Sequence, residues 1–351
     1  MILKFNFHNA IQWLNYAQYP KGYISKFGSL FRRIDIYPEI TGYSISTYVN
    51  LHRKLGNQDY LSRARRAANA LISVMHSNGA IPSIIHTNGA QKDTIYMFDQ
   101  GIMADGLCSL AERLKETNDS NADHYLHYAL KATDYIITRN DQGHLCDKYF
   151  PDGTIKDSFS YCILGKCVLP LLKMHRIKGN PNLLMAAEEI LSYIILTFQD
   201  KEGRFRLPGQ HVRNRVHYHC YAIEGLINYL RTRNDPKFYA AARLGAEFLL
   251  KYQKDNGGFW NRITEEENDG LEDVPPTAQS INIWKYFLEK EQLSDYQAAI
   301  DNAHRYLSKV QYKSISPYLH GGFPFMLPEN KFIKKACSWA CLFAIDTEVS
   351  E

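Results

Sequence analysis

Apolar residues recur along the chain at helical spacing, in pairs of long segments that are separated by short polar turns. The first segment of each pair has a small residue near its start. These small residues are Gly42, Gly101, Cys162, Cys220, Ala278 and Ala336, and they stand 59, 61, 58, 58 and 58 positions apart in turn. Such regular spacing indicates an internal repeat in which each unit is one pair of helices.

The two ends of the chain share one repeat unit. The last pair has no second helix before the C-terminus, whereas the N-terminal segment FHNAIQWLNYAQ has a helical pattern and leads into a Gly-containing turn, as the other second helices do. A unit divided in this way predicts a closed ring rather than an open solenoid. The final segment, ACSWACLFAI, is apolar on nearly every side, which is typical of a buried inner helix.

We therefore predict an all-α fold, the (α/α)6 toroid, with six inner and six outer helices. The N- and C-terminal helices would together close the sixth hairpin. Because large closed architectures often reach this length as one unit, we expect a single domain over residues 1–351.

Composition narrows the functional classes. The chain is 45% hydrophobic and 22% charged, as in globular proteins, and its net charge of +4 is too small to predict nucleic-acid binding. No apolar run approaches the ~20 residues needed to cross a membrane, and the N-terminus lacks a signal-peptide pattern. The seven cysteines have no disulfide-type spacing, which favours a reducing, cytoplasmic setting. The aromatic content of 13% suits binding of sugar rings.

A ring of parallel inner helices predicts where a site would lie. The N-termini of these helices would meet at one mouth, where their dipoles favour anions and electron-rich groups. The segments that lead into the inner helices are rich in ionisable and aromatic residues. We take as candidate catalytic residues Glu39, Asp99, His217 and His219. The candidate substrate-binding residues are Tyr37, Tyr43, Tyr96, Asp157, Tyr161, Arg206, Arg213, Arg215, Tyr218 and Asp273.

Structural explanations compete with these roles. Glu39 and Asp99 could be first-turn acids that interact with helix dipoles, worth about 0.3–1 kcal/mol each. The string RFRLPGQHVRNRVHYHCY could be a solvated loop. We expect no cofactor. A zinc site at Cys162, Cys220, His217 and His219 is a minor alternative, because packing already explains small residues at the two cysteine positions.

Three motifs carry a family resemblance: YPEITGY, FDQGIMADGL and HYHCYAIEGL. With the repeat, they make the chain resemble the six-hairpin toroids of carbohydrate chemistry, which include glycoside hydrolases, uronate lyases and sugar epimerases. The nearer resemblance is to a toroid family encoded among bacterial surface-polysaccharide biosynthesis genes. QKDNGGFW is similar to repeats of terpene cyclase toroids, but the acidic motifs of those cyclases are absent from this sequence.

The resemblance implies an enzyme that acts on a saccharide, and the arginines indicate that the saccharide is anionic. Glu39 and Asp99 would serve hydrolysis as acid and base, which we favour slightly. A tyrosine or histidine would instead serve uronate lyase or epimerase chemistry by removing a proton next to a carboxylate. Alternatives are a non-catalytic glycan-binding or scaffold protein and an isoprenoid-handling toroid. The resemblance also implies association with polysaccharide biosynthesis proteins.

Overall fold

The chain forms two concentric rings of helices. The computed structural model describes residues 4–85, 94–206, 215–262, 270–329 and 334–349. Within these ranges the inner helices are α2 (Pro38–Leu55), α4 (Met97–Glu116), α6 (Val168–Lys178), α8 (Val216–Thr232), α10 (Pro275–Glu291) and α12 (Ser338–Val349). The outer helices are α1 (Phe7–Ala17), α3 (Gln58–Ile72), α5 (Ala122–Ile137), α7 (Pro181–Phe198), α9 (Pro236–Tyr252) and α11 (Ser294–Val310).

Each inner helix packs against the next, and α12 packs against α2, so the inner ring is closed. The terminal helices complete the sixth hairpin, because α1 packs on α12 and the Cys341 thiol lies 3.4 Å from the carbonyl oxygen of Ala10. The inner helices are buried along most of their length, and they form one apolar core with the inward faces of the outer helices. The predicted (α/α)6 toroid is thus confirmed.

Within the described residues, three small antiparallel sheets surround the end of the ring at which the inner helices begin. Their strand orders are β2–β1–β9, β3–β4–β5 and β6–β7–β8. The first sheet joins the two chain ends, because Phe27 of β1 pairs with Cys337 of β9. The strands are β1 (Ser25–Gly28), β2 (Arg33–Ile36), β3 (Ile95–Tyr96), β4 (Lys148–Tyr149), β5 (Ile155–Asp157), β6 (Phe259–Trp260), β7 (Glu272–Asp273), β8 (Met326–Leu327) and β9 (Ala336–Cys337).

The repeat is less even in space than in sequence. Gly42, Gly101 and Cys220 are each the fifth residue of an inner helix, whereas Cys162 opens a 3₁₀ turn (Cys162–Cys167) ahead of α6 and Ala336 lies in β9. In the third unit the tighter turn shifts the close helix–helix approach to Gly165. A Cβ on Gly225 would meet the carbonyl oxygen of Gly165, just as one on Gly106 would meet that of Gly42.

A second set of glycines joins neighbouring outer helices. One glycine follows each outer helix, has a positive φ, and lies so close to the backbone of the next outer helix that a Cβ would overlap a carbonyl oxygen there. We call this contact the glycine clasp. Its members are Gly22, Gly79, Gly143, Gly203, Gly257 and Gly321, and Gly321 lies against Asn9 of α1, which closes the outer ring.

Glutamine side chains support the clasp. Gln253, directly after α9, donates its amide to the carbonyl oxygen of Gly257 at 3.1 Å and to that of Ala299 in α11 at 3.0 Å. Gln18, Gln199 and Gln311 make the corresponding pair of bonds after α1, α7 and α11. The stretch QKDNGGFW that resembles terpene cyclase repeats is one of these clasps. In this chain that likeness therefore reflects a packing device of the ring.

One described helix, α7, is long and apolar enough by length and composition to cross a membrane. It is the outer helix of the third hairpin, and one side of it packs into the core through Leu183, Ala187, Ile190 and Ile194. That packing covers only part of its apolar surface, since Met185 and Leu196 are exposed.

We predict that Gly257→Ala destabilises the protein far more than Gly56→Ala does. Both glycines have a positive φ, but a Cβ at 257 would overlap the Asn302 carbonyl, whereas no atom of the described residues lies within 4 Å of one at 56. We expect a loss of about 1 kcal/mol for Gly56→Ala and at least about 3 kcal/mol for Gly257→Ala, measured by urea unfolding. Equal losses would show that backbone strain alone matters and that the clasp contact contributes nothing.

Candidate active site

A cavity of about 500 Å³ opens at the end of the ring where the inner helices begin. The second residue of each of five inner-helix segments lines it: Glu39, Phe98, Ile163, His217 and Trp339. The remaining lining residues are Tyr37, Tyr96, Asp99, Asp147, Lys148, Tyr161, Arg215, Tyr218, Tyr221 and Phe325. The first turns of the inner helices thus form the walls, as the ring geometry predicts.

Glu39 is buried in the wall, with 1% of its surface exposed. The indole N–H of Trp339 donates to both of its carboxyl oxygens, at 3.1 Å to Oε1 and 2.9 Å to Oε2. Burial, together with the nearby charge of Asp99, raises the pKa of Glu39 well above its usual range, although the indole and the Lys26 ammonium act in the opposite direction. Glu39 is therefore an acid that resists ionisation.

Asp99 is the neighbouring acid, on the first turn of α4. The Tyr37 hydroxyl donates to its Oδ2 at 3.0 Å, and the carboxyl is 4% exposed. Burial raises the pKa of Asp99 to about 7, although the hydrogen bonds from Tyr37 and Ser83 counteract part of the rise. Because Glu39 and Asp99 interact, the pair titrates together and favours a state that retains one proton near neutral pH.

A third carboxyl, Asp147, lies in the cavity next to Asp99 and was not predicted. Burial raises the pKa of Asp147. The Lys148 ammonium contacts Asp147 at 3.2 Å and Asp157 at 2.7 Å. Asp157 and Lys148 stand opposite each other on adjacent strands, so Asp157 orients the lysine and is not itself part of the cavity lining.

His217 brings an imidazole to the cavity from the start of α8. Its Nδ1 is 2.7 Å from Oε1 of Gln279, and its Nε2 has no hydrogen-bond partner among the described residues. Burial lowers the pKa of His217 to about 3, and the charges of Arg215 and Lys166 act in the same direction. The ring is therefore neutral at physiological pH.

Arg215 supplies a positive charge at the cavity. Its guanidinium carbon is 5.9 Å from the Phe325 ring centroid, and no carboxylate within the described ranges lies within ion-pair distance of it. Asp273, on β7 behind the wall, is fully buried, and neither of its carboxyl oxygens has a hydrogen-bond partner among the described residues. Burial raises the pKa of Asp273 to about 7, and the charge of Arg215 opposes part of this rise.

The structure brings eight of the fourteen predicted site residues to the cavity lining: Tyr37, Glu39, Tyr96, Asp99, Tyr161, Arg215, His217 and Tyr218. It places His219 elsewhere. His219 is fully buried, its Nδ1 accepts from the Phe205 amide at 3.1 Å, and its Nε2 is 3.0 Å from the Gly245 carbonyl oxygen. Because both ring nitrogens are bound to backbone atoms, its position does not support the predicted catalytic role.

Other predicted residues also lie off the cavity. Tyr43 lines a second cavity, of about 450 Å³, on the opposite side of the ring, and it packs against Phe343 at a ring-centroid distance of 5.2 Å. Arg206 is half exposed and pairs with Asp200 at 2.7 Å. Asp157 and Asp273 stand behind the lining, as described above. Arg213 lies outside the described residues.

Sequence reasoning missed several lining residues, above all Trp339. Aligning the sixth unit on Ala336 placed this helix start too early, since Ala336–Cys337 forms a strand and the helix begins at Ser338. Had the register been known, the second helical position would have identified Trp339 beside Glu39, Phe98 and His217. Asp147 and Lys148 follow an outer helix and carried no such signal.

A zinc centre gains no support from the geometry. Cys162 and Cys220 are fully buried, and burial raises the pKa of each thiol. Across the described ranges, no group of three His, Cys, Asp or Glu side chains is arranged to hold a metal ion.

The fold defines the class of protein, an (α/α)6 toroid, and comparison with solved structures agrees. Cellobiose 2-epimerase from Bacillus thermoamylovorans B4167 aligns with a TM-score of 0.78 and 12% identity, over 97% of this chain and 98% of that one. The unsaturated glucuronyl hydrolase of Bacillus sp. GL1 aligns at 0.73 and 12%, over 97% and 96%. The GH76 α-mannanase BT2949 of Bacteroides thetaiotaomicron aligns at 0.70 and 12%, over 96% and 93%.

At these identities the likeness establishes the fold and not the reaction. No protein-family model matches the sequence, and no curated protein matches it. The three structures are of an epimerase, a hydrolase and a mannanase, so the chemistry of this chain depends on its own side chains.

We predict that buried Asp273 makes the protein lose stability as the pH rises from 5 to 8, a contribution that the buried neutral histidines His217 and His219 oppose. In an unfolded chain an aspartate ionises near pH 4, whereas buried Asp273 keeps its proton up to about pH 7. The folded state therefore binds more protons in this window, and the stability that Asp273 contributes below pH 4 is lost as the pH rises through 7.

Asp273→Asn should reduce this loss by about 2–3 kcal/mol between pH 5 and 8, measured by urea unfolding at both values. The control is Asp123→Asn, which changes an exposed first-turn aspartate of α5. An unchanged pH slope in Asp273→Asn would mean that Asp273 is already ionised in the folded protein.

Proposed function

We propose that this protein is a saccharide-acting enzyme that hydrolyses a glycosidic bond, with Glu39 and Asp99 as its two acids. The observation that carries the proposal is the interacting pair of buried carboxyls on the first turns of adjacent inner helices, facing one cavity. Hydrolysis needs one carboxyl that donates a proton to the leaving oxygen and one that stays ionised to activate water or to attack the sugar. A pair that shares one proton near neutral pH meets that need.

The surroundings divide the two roles. Asp99 accepts a hydrogen bond from the Tyr37 hydroxyl. Because this hydrogen bond favours the ionised form of the carboxyl, we assign Asp99 as the base or nucleophile. Burial and the charge of Asp99 raise the pKa of Glu39 well above its usual range despite the hydrogen bonds from Trp339, so we assign Glu39 as the general acid. The Trp339 indole holds both oxygens of Glu39 and so fixes the direction from which it gives its proton.

The lining also supports a saccharide with an acidic group. Tyr96, Tyr161, Tyr218 and Trp339 offer ring faces and polar edges, which suit the alternating apolar and hydroxyl surfaces of a sugar. Arg215 has no carboxylate partner among the described residues and is suited to bind a carboxylate, sulfate or phosphate. Lys26, 5.3 Å from the Tyr37 ring and 5.4 Å from the Trp339 ring, adds positive charge nearby.

The cellular setting is part of the proposal. The family resemblance of the three motifs supports a role in bacterial surface-polysaccharide metabolism, in association with other proteins of that process. The cysteine pattern supports a cytoplasmic location. One domain would then carry the whole activity.

Epimerase or isomerase chemistry is the second candidate, and the free Nε2 of His217 favours it. A neutral imidazole with an available lone pair could take a proton from a sugar carbon. However, a base with a pKa of about 3 has little driving force at neutral pH, whereas Asp99 is well matched with a pKa of about 7. This difference is why we prefer the carboxyl pair. A glycan-binding protein without catalysis is the third candidate.

One experiment separates these candidates. The protein is incubated with a panel of acidic and neutral oligosaccharides in ¹⁸O-labelled water and in D₂O, and the products are weighed by mass spectrometry. Hydrolysis inserts one ¹⁸O, epimerisation or isomerisation inserts deuterium at carbon, and elimination gives an unsaturated product. Saccharide binding with no product under any condition would overturn the enzymatic proposal.

We predict that Glu39→Gln and Asp99→Asn each lower kcat by about 10²–10⁴, because each removes one half of the acid–base pair. The matched control is Asp59→Asn, which alters the first-turn acid of outer helix α3 at the second helical position, as Glu39 has in α2. Asp59 lies on the exposed side of the ring, so its substitution should leave kcat unchanged. Full activity in Glu39→Gln would rule out Glu39 as the acid.

We predict that Arg215→Gln raises KM for an acidic oligosaccharide by about tenfold and leaves kcat nearly unchanged, because the lost contact acts equally on bound substrate and transition state. Steady-state rates for the acidic substrate and for its neutral analogue provide the comparison. An equal change in KM for both substrates would show that Arg215 does not recognise the acidic group.

A further inference from the structure

His217 and His219 are both buried on α8, but the ring nitrogens of the two side chains have different kinds of hydrogen-bond partner. His219 accepts a hydrogen bond at Nδ1 from the Phe205 amide, an N–H that can only donate. Its Nε2 must then carry the proton and donate to the Gly245 carbonyl oxygen. The backbone alone therefore fixes His219 as the Nε2–H tautomer.

His217 instead contacts the side chain of Gln279, which in turn contacts the ion pair between Glu224 and Lys166. Gln279 has its Oε1 2.7 Å from Nδ1 of His217, and its Nε2 donates to Oε1 of Glu224 at 3.1 Å. The other oxygen of Glu224 contacts the Lys166 ammonium at 2.6 Å. Glu224 and Lys166 line the second cavity, so a chain of hydrogen bonds runs through the wall between the two cavities.

The direction of each hydrogen bond in this chain follows from which groups can donate and which can accept. A carboxylate paired with an ammonium can only accept, so the amino group of Gln279 must face Glu224. Its carbonyl oxygen must then face His217, and this oxygen can only accept. Nδ1 of His217 must therefore carry the proton. The reverse tautomer would set a lone pair against a lone pair in a buried place.

We propose that Glu224, acting through Gln279, is the positioning residue that holds His217 in the Nδ1–H tautomer and leaves the Nε2 lone pair free at the cavity. Under the proposed function, on which this consequence rests, Nε2 accepts a hydrogen bond from a sugar hydroxyl and orients the ring against Glu39 and Asp99. Glu224 touches neither substrate nor the reacting bond. It acts from the opposite cavity, outside the site that the first turns form.

The tautomers can be read without a substrate. Long-range ¹H–¹⁵N correlation spectra of protein labelled at histidine distinguish protonated from unprotonated ring nitrogens, and spectra of His217→Asn and His219→Asn assign the two rings by loss of signals. We expect His217 as Nδ1–H, in at least about tenfold excess, because the reverse form leaves buried polar atoms unpaired. His219 is expected as Nε2–H and serves as the internal control.

Glu224→Gln tests the positioning role. An amide at 224 keeps its oxygen toward the Lys166 ammonium, which can only donate, and so presents its amino group to Gln279. Gln279 must then turn over and donate to Nδ1, so His217 should shift toward the Nε2–H tautomer while His219 stays unchanged. Gln279→Met removes the link with little change in volume and should leave His217 as a mixture of tautomers, which keeps the test available if Glu224→Gln does not fold.

Two outcomes would overturn the proposal. One is an Nε2–H form of His217 in the unaltered protein. The other is an unchanged His217 spectrum in both variants. Absence of hydrolysis with the predicted tautomers in place would overturn the proposed function alone, so the two failures are distinguishable.

Discussion

The architecture depends on the glycine clasp between successive outer helices. At each of six places the backbone of one unit comes so near a helix carbonyl of the next that no Cβ fits. This short distance sets the spacing of the outer helices, and the glutamines bridge the same two backbones by donating to the clasp glycine and to a helix carbonyl of the next unit. A ring closes only if all six steps have compatible geometry, which the last clasp, between Gly321 and α1, completes.

Closure of the ring also creates the chemistry. An acid on the first turn of a helix is normally solvated, but in this ring the first turns of the inner helices face one another across a cavity. Glu39 and Asp99 lose water without gaining an ion pair to any described residue, so the pKa of each rises. The same exclusion of water keeps His217 neutral. Beneath them Glu224, Lys166 and Gln279 form a polar chain along the axis, where ion pairs satisfy buried charges.

Much of the fold and of the candidate site could be predicted from the sequence pattern alone, and each residue that was missed has a physical reason. Repeat length and helical periodicity were enough to predict the toroid, the shared sixth hairpin and the mouth at which Glu39, Asp99 and His217 meet. The register of the third and sixth units was not predictable, because a 3₁₀ turn and a two-residue strand displace those helix starts. Trp339 was missed for that reason. His217 and His219, two residues apart on a helix, point to different sides, and only the packing of neighbouring elements shows which of them faces the cavity. That is why the sequence wrongly placed His219 in the site.

The amino-acid sequence by itself determined the number of helices, their pairing and the end of the ring that carries ionisable groups, because these follow from local periodicity and from the spacing of small residues. Only the tertiary structure decided which side chains meet, since Glu39 and Trp339 are 300 residues apart and contact each other through ring closure. It also decided protonation, because burial and non-local partners set the pKa of each acid and the tautomer of each histidine. These depend on distances across the ring, which no local pattern contains.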